Sequence, residues 1–359
     1  MKKRILIIIT TLCFTLGSFI SGALAEDNEK LTLEKAIAMA LERNRDLKIA
    51  KLNYDKADEQ LEDLKDTVKY LPDGVYIPGV SSAYGSFLSA EANERITEKS
   101  IDNMKQLLVV DVKNKYYEVL KNNRLLKLNE SALKVAELKE IQAATKYNLG
   151  IITQADLFSA QTQRSNAQTN LANAKTNLET SKTNLANIIG LNESFTAEDL
   201  VDDVVYEKGE LPTLEALTAL ALSQQYDVWA SEYLAEVSGR VQEYMDNYNV
   251  GKIDTKIQEV NAGKTKEKTA LQVETLYLSL QYMEQAYKTQ EQNVKTLEEV
   301  LRVTRVQKEA GIAINLQVQE AEQAYLAALD EFKKLVYTYD TTKTQLAVIA
   351  GENVLGVRH

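Results

Sequence analysis

Apolar and small residues recur along most of the 359-residue chain at alternating three- and four-residue steps. Between 157 and 188 the stripe runs Leu157, Ala160, Arg164, Ala167, Leu171, Ala174, Leu178, Ser181, Leu185 and Ile188. Between 318 and 349 it runs Val318, Ala321, Tyr325, Ala328, Phe332, Leu335, Tyr339, Thr342, Leu346 and Ile349. A repeat near 3.5 residues predicts long helices that pack as coiled coils. The small seam residues allow close approach of neighbouring helices.

The stripe also repeats on a larger scale. TSKTNLANIIG at 180–190 and TTKTQLAVIAG at 341–351 share seven of eleven residues at an offset of 161. The same offset relates Gly150-Ile151 to Gly311-Ile312. LTLEKAIAMALERNRDL at 31–47 and PTLEALTALALSQQYDV at 212–228 align at an offset of 181. The chain therefore reads as a tandem duplication of one helical unit, and a unit that cannot cover its own stripe calls for neighbours. The two offsets differ by about twenty residues, which assigns an insertion to the first half. Its candidate is LPDGVYIPGVSSAYGSFLSA at 71–90, where the Gly, Pro, Val and Tyr content predicts short strands around Val75–Val80 and Ala83–Phe87. The counterpart at 248–268 is charged and alternates poorly.

Punctuation sets the helix lengths. Only three prolines occur, at 72, 78 and 212. Gly150 is placed to end a helix in left-handed conformation. Thr153 and Asp156 then form a capping-box pair for the next one. Gly311 and Asn315 allow a similar turn. The first half is expected to hold helices at 46–70, 86–147 and 155–190, and the second at 227–250, 252–308 and 316–351. At about 1.5 Å per residue, the long helix of each half matches the two shorter ones placed end to end, near ~90 Å.

Composition narrows the function. Residues 1–25 read as an export signal, with Lys2, Lys3 and Arg4, an apolar run, and Ala23-Leu24-Ala25 before Glu26. Without that segment, 39 basic residues face 52 acidic ones, a net charge of −13, and an acidic surface argues against nucleic acid. The single cysteine, Cys13, lies in the signal, so the exported chain has neither a disulfide nor a thiolate metal site. The single histidine is the final residue, His359, and no hydrolytic triad, metal or phosphate-loop constellation occurs. No enzyme activity and no cofactor are expected. Trp229 falls in an apolar helix stripe, where a core role is expected.

Three motifs in order resemble the TolC-type outer-membrane efflux family over about 31–353. They are LTLEKAIAMALERNRDLKIAK, YNLGIITQADLFSAQ running into LANAKTNLETSKTNLANIIGL, and EAGIAINLQVQEAEQAY running to LAVIAG. The resemblance implies an all-α fold of long antiparallel hairpins, one repeat at 26–200 and the second at 201–359. It implies a homotrimer whose columns close a hollow tube in the outer membrane and periplasm, joined through a periplasmic adaptor to an inner-membrane pump. Small molecules or polypeptides would pass without chemistry. A non-conducting coiled-coil scaffold is the alternative. The family inserts strand hairpins that build a membrane barrel, whereas this chain has room for little more than one short hairpin.

The resemblance also points to residues. The tip turns at Leu149, Gly150, Ile151 and Ile152, and at Gly311 and Ile312, would meet the adaptor; burial within the trimer is the other reading of these apolar side chains. The aperture would be lined by Asp156, Gln317 and Glu320. Asp156 is equally suited to helix capping. Only one of the two second-half aperture positions is acidic. Ala313 stands where the family carries a basic residue that helps lock the gate.

Overall fold

The computed structural model describes residues 30–69, 80–191, 195–208 and 211–352. The expected export signal, the 71–79 part of the insertion with all but the last residue of the strand expected around Val75–Val80, and His359 lie outside them. Eight α-helices occur among the described residues: α1 (Leu33–Arg43), α2 (Arg45–Val68), α3 (Val80–Asn148), α4 (Gln154–Ile189), α5 (Leu214–Gln224), α6 (Tyr226–Val241), α7 (Tyr248–Glu309) and α8 (Asn315–Ile349). The only β pairing among those residues is an isolated parallel bridge between Leu31 and Leu200.

The helices make four columns side by side. α2 and α4 stack end to end and pack along one side of α3. On its other side α3 packs against α6 and α8, which stack in the same way. α7 packs on α6 and α8 from beyond and closes the row. The 69 residues of α3 correspond to a rod of ~104 Å, long enough to run beside both stacked helices.

Each junction between stacked helices is built alike. Asn44 ends α1 and starts α2, its Oδ1 accepting from the N–H groups of Asp46 and Leu47 at 2.9 and 3.0 Å. Gln225 does the same between α5 and α6, accepting from the Val228 N–H at 2.9 Å. The end of the facing helix abuts each corner at a glycine. A Cβ on Gly190 would stand 2.7 Å from Arg43 Cβ, and one on Gly351 2.5 Å from Gln224 Cβ.

Two apolar clusters sit at this middle level. One joins α1, the start of α2, α3, α4 and the 195–208 segment around Leu47, Val112, Tyr116, Val119, Leu185 and Ile189. The other joins α5, α7 and α8 around Leu217, Val273, Leu280, Leu346 and Ile349. Tyr116 ties the segment down, since its hydroxyl lies 2.7 Å from the carbonyls of Leu31 and Val201 and accepts from the Val201 N–H at 2.9 Å. Arg124 and Lys333 both pair with Asp202, which straps the segment over the α3–α8 seam.

Three expectations need correction. The strand expected over Ala83–Phe87 is helix, because α3 begins at Val80 and this stretch packs there, the Tyr84 and Tyr244 rings meeting tilted with centroids 4.7 Å apart. The helix expected over 227–250 stops at Val241, passes through a 3-10 turn at Gln242–Tyr244 and restarts at Tyr248, with the Asn247 side chain accepting from the Val250 N–H. Gly251 makes this sharp return possible: a Cβ there would stand 2.8 Å from Gln242 Cβ. Trp229 is half-buried rather than core, stacked on Tyr233 with the Lys99 ammonium 3.9 Å above its ring.

Candidate functional site

The end of the columns opposite the Val241–Tyr248 return is formed by two helix–turn–helix tips. In the first, α3 closes when Gly150 takes φ 71°. The Gly150 N–H then donates to the Tyr147 carbonyl at 2.8 Å and the Ile151 N–H to the Lys146 carbonyl at 2.9 Å. In the second, Gly311 takes φ 74°, its N–H reaching the Lys308 carbonyl at 3.0 Å and that of Ile312 the Gln307 carbonyl at 2.8 Å. Both are Schellman-type closures, which turn the chain back within a few residues. The apolar residues at the turns then have no helix beside them. Leu149, Ile151 and Ile312 are 69%, 65% and 76% exposed, and Ile152 is half-buried.

The three expected aperture residues lie in the helices that leave these tips. Thr153 and Asp156 form the expected capping box: Asp156 Oδ2 accepts from the Thr153 hydroxyl at 2.7 Å and from its N–H at 2.9 Å. These bonds hold the Asp156 carboxyl below the usual carboxylate range, so its charge persists at neutral pH. Gln317 is the repeat equivalent and does the same work with an amide, its Oε1 accepting from the Ile314 N–H at 2.9 Å. Glu320 is ion-paired across the repeats, 2.9 Å from Lys139 of α3. Each is thus committed to a partner within the chain. Asp156, Gln317 and Glu320 are nonetheless exposed.

Sequence reasoning missed three features of this end. Ile314 is 54% exposed beside Ile312, and Phe158 is 55% exposed one turn up α4. Ile314 replaces the side-chain cap that Thr153 supplies in the first tip, so its apolar character was the available signal. Ionic contacts bind the hairpins above the tips: Arg164 to Glu140 at 3.5 Å, Arg305 to Glu322 at 3.8 Å, and Lys139 to Glu320. These join residues far apart in sequence, and spacing alone does not reveal them. Among the described residues no group of three or more His, Cys, Asp or Glu is placed to hold a metal ion, and no helix is long and apolar enough to cross a membrane.

The model of the Outer membrane efflux protein family matches residues 86–191 and 242–352, more than half of the chain. Each matched segment holds one long helix, one tip and the helix that returns from it. No curated protein sequence matches. Solved structures match over nearly the whole length. The Neisseria gonorrhoeae MtrE outer membrane channel in its open state aligns with a TM-score of 0.66 at 15% identity, covering 90% of this chain and 89% of that one. The Campylobacter jejuni CmeC outer membrane channel gives 0.65 at 14%, covering 91% and 88%. The Vibrio cholerae outer membrane protein VceC gives 0.62 at 12%, covering 89% and 96%. At these identities the likeness is one of fold.

Proposed function

Because the chain belongs to the outer membrane efflux protein family, we propose that it assembles into a homotrimeric duct of twelve helical columns and gives passive passage out of the cell envelope. It is a channel protein of an export system, not an enzyme. Residues 1–25 would serve as the export signal, and 26–200 and 201–359 as the two repeats. The tips would reach into the periplasm, meet an adaptor protein and, through it, an inner-membrane pump. The single observation that carries this reading is the pair of repeat-related tips, which project exposed isoleucines from one end of ~100 Å columns. An apolar side chain on a turn, without a neighbour, suits docking better than solvent.

In this reading Asp156, Gln317 and Glu320 line the narrow end of the duct, where the single-sided pairing of Glu320 with Lys139 reduces net negative charge. The test replaces Ile151 and Ile312 together with Asp. Helicity and assembly should be kept, while cross-linking to the adaptor and tolerance of exported toxic compounds are lost. Loss of assembly instead would place these residues inside the trimer, and unchanged export would remove the tips from docking.

A non-conducting scaffold is the second reading, favoured by the direct helical return from α6 into α7 where a strand insertion was the family expectation. A scaffold would bind the adaptor yet leave compound export unchanged on its deletion.

A further inference from the structure

The row of four columns has two open edges, α7 on one side and α2 with α4 on the other. On α7 the buried residues Gly251, Ala262, Thr269, Val273 and Leu280 face the protomer. About half a turn away, at ~100° per residue, runs a second apolar stripe. Ile253, Val260, Leu271, Leu278, Tyr282 and Val300 are 45% to 70% exposed along it. One stripe per helix suffices for a protomer, and the second calls for a partner along nearly the whole rod.

The opposite edge has a matching relief. On α4, Thr162, Thr169, Thr176, Thr180 and Thr183 face away from its buried alanines, and each hydroxyl donates to the carbonyl four residues before it. With the hydroxyls so engaged, the stripe presents methyl groups, a shallow apolar groove for large side chains. Charge matches too. On the outer face of α2, Arg45 and Lys48 lie near the middle level, and Glu59, Asp63 and Asp66 near the end. On α7 Glu274 and Glu267 lie toward the middle and Lys252, Lys256 and Lys264 nearer the end, with the exposed Lys268 beside Glu267. Lys256 also reaches Glu259 of its own helix at 3.4 Å, an exposed contact.

We propose that the α7 edge of one copy seats on the α2–α4 edge of the next, antiparallel, with Lys252 and Lys256 against Glu59, Asp63 and Asp66. This rests on the tube reading and adds which edges meet and what holds the end away from the tips. At that end the second half turns from α6 into α7 through helix and residues 245–247, with no strand. Ten residues separate Lys69 from Val80, whereas one membrane-spanning strand takes about 9–11. Lysine–carboxylate pairing between helices therefore closes the ring where strands would otherwise do so. Matching the middle-level junctions in height places Leu278 beside Thr183, and Tyr282 beside Thr180, of the next copy.

The test is sedimentation of the purified chain at micromolar concentration, in low and high salt. Wild type should be trimeric and loosen as salt rises. Lys252→Glu with Lys256→Glu should weaken association at least about tenfold, with helicity kept. Adding Glu59→Lys and Asp63→Lys should restore it. A Leu278→Cys, Thr183→Cys chain should form disulfide-linked oligomers under mild oxidation. A wild-type trimer that ignores the reversal, or a reversal that the swap does not rescue, overturns this pairing and leaves the tube standing. A wild-type chain that stays monomeric overturns both.

Discussion

Gly150, Gly190, Gly311 and Gly351 hold left-handed backbone, with φ between 69° and 77°, and form two repeat-related pairs. The members of a repeat differ in surroundings. A Cβ on Gly150 meets nothing within 4 Å, while one on Gly190 meets Arg43. Gly150→Ala should therefore cost only the left-handed penalty, about 1 kcal/mol. Gly190→Ala adds overlap at a packed corner and should cost about 2–3 kcal/mol. Urea melts of the two variants check the difference, and equal losses would mean that the corner yields. Tyr116 gives a second residue-scale test. Burial pushes its phenol up to about 12. A raised folded-state value means that the neutral phenol's contribution is complete below the ordinary value near 10 and is lost as pH rises through about 12. Alkaline unfolding should thus steepen above pH 10 and flatten in Tyr116→Phe. That variant should also lose about 1–3 kcal/mol at neutral pH, because the one phenol proton no longer reaches the Leu31 and Val201 carbonyls and the Val201 N–H loses an acceptor. A variant with the wild-type alkaline profile would contradict the assignment.

At the scale of elements, the heptad stripe was legible wherever a helix has one partner. Ala160, Ala167, Ala174, Leu178, Ser181 and Leu185 of α4 are buried as the spacing predicts. α8 is different. Val336, Tyr337 and Thr344 are buried off the predicted seam, because α8 lies between α7 and α3 and covers two faces. A one-seam pattern does not disclose an interior column. The tips and the Thr153–Asp156 cap were legible because glycine and capping chemistry act locally. The Lys139–Glu320 bond was not, since it joins the two repeats across space. Its exposure makes it weak for stability, but it ties α3 to α8 just above the tips. Lys139→Glu should therefore leave the melting temperature nearly unchanged while increasing hydrogen exchange in the first turns of α4 and α8. Unchanged exchange there would show that packing alone holds the tips together.

At the scale of the molecule, the duplication, the rod lengths and the two open edges belong to one design. In the proposed assembly each protomer is an incomplete wall whose exposed α7 stripe and α4 groove are covered by a further copy. The acidic charge and the polar flank of α4 suit a water-filled interior. The end opposite the tips departs most from the strand-built family pattern, and it sets a fractionation result. The exported chain should be released from envelopes without detergent, or be held there by another component. Heat-modifiable behaviour typical of a spanning barrel would contradict helical closure. The central claim, a hollow helical tube closed edge to edge, is tested most directly by cryo-electron microscopy of the purified wild-type assembly. Three copies are expected, with twelve columns around an open axis, α7 against the α2–α4 edge of the next copy, and helix up to the Val241–Tyr248 return. A solid bundle, an open row of columns or a different pair of edges in contact would contradict it.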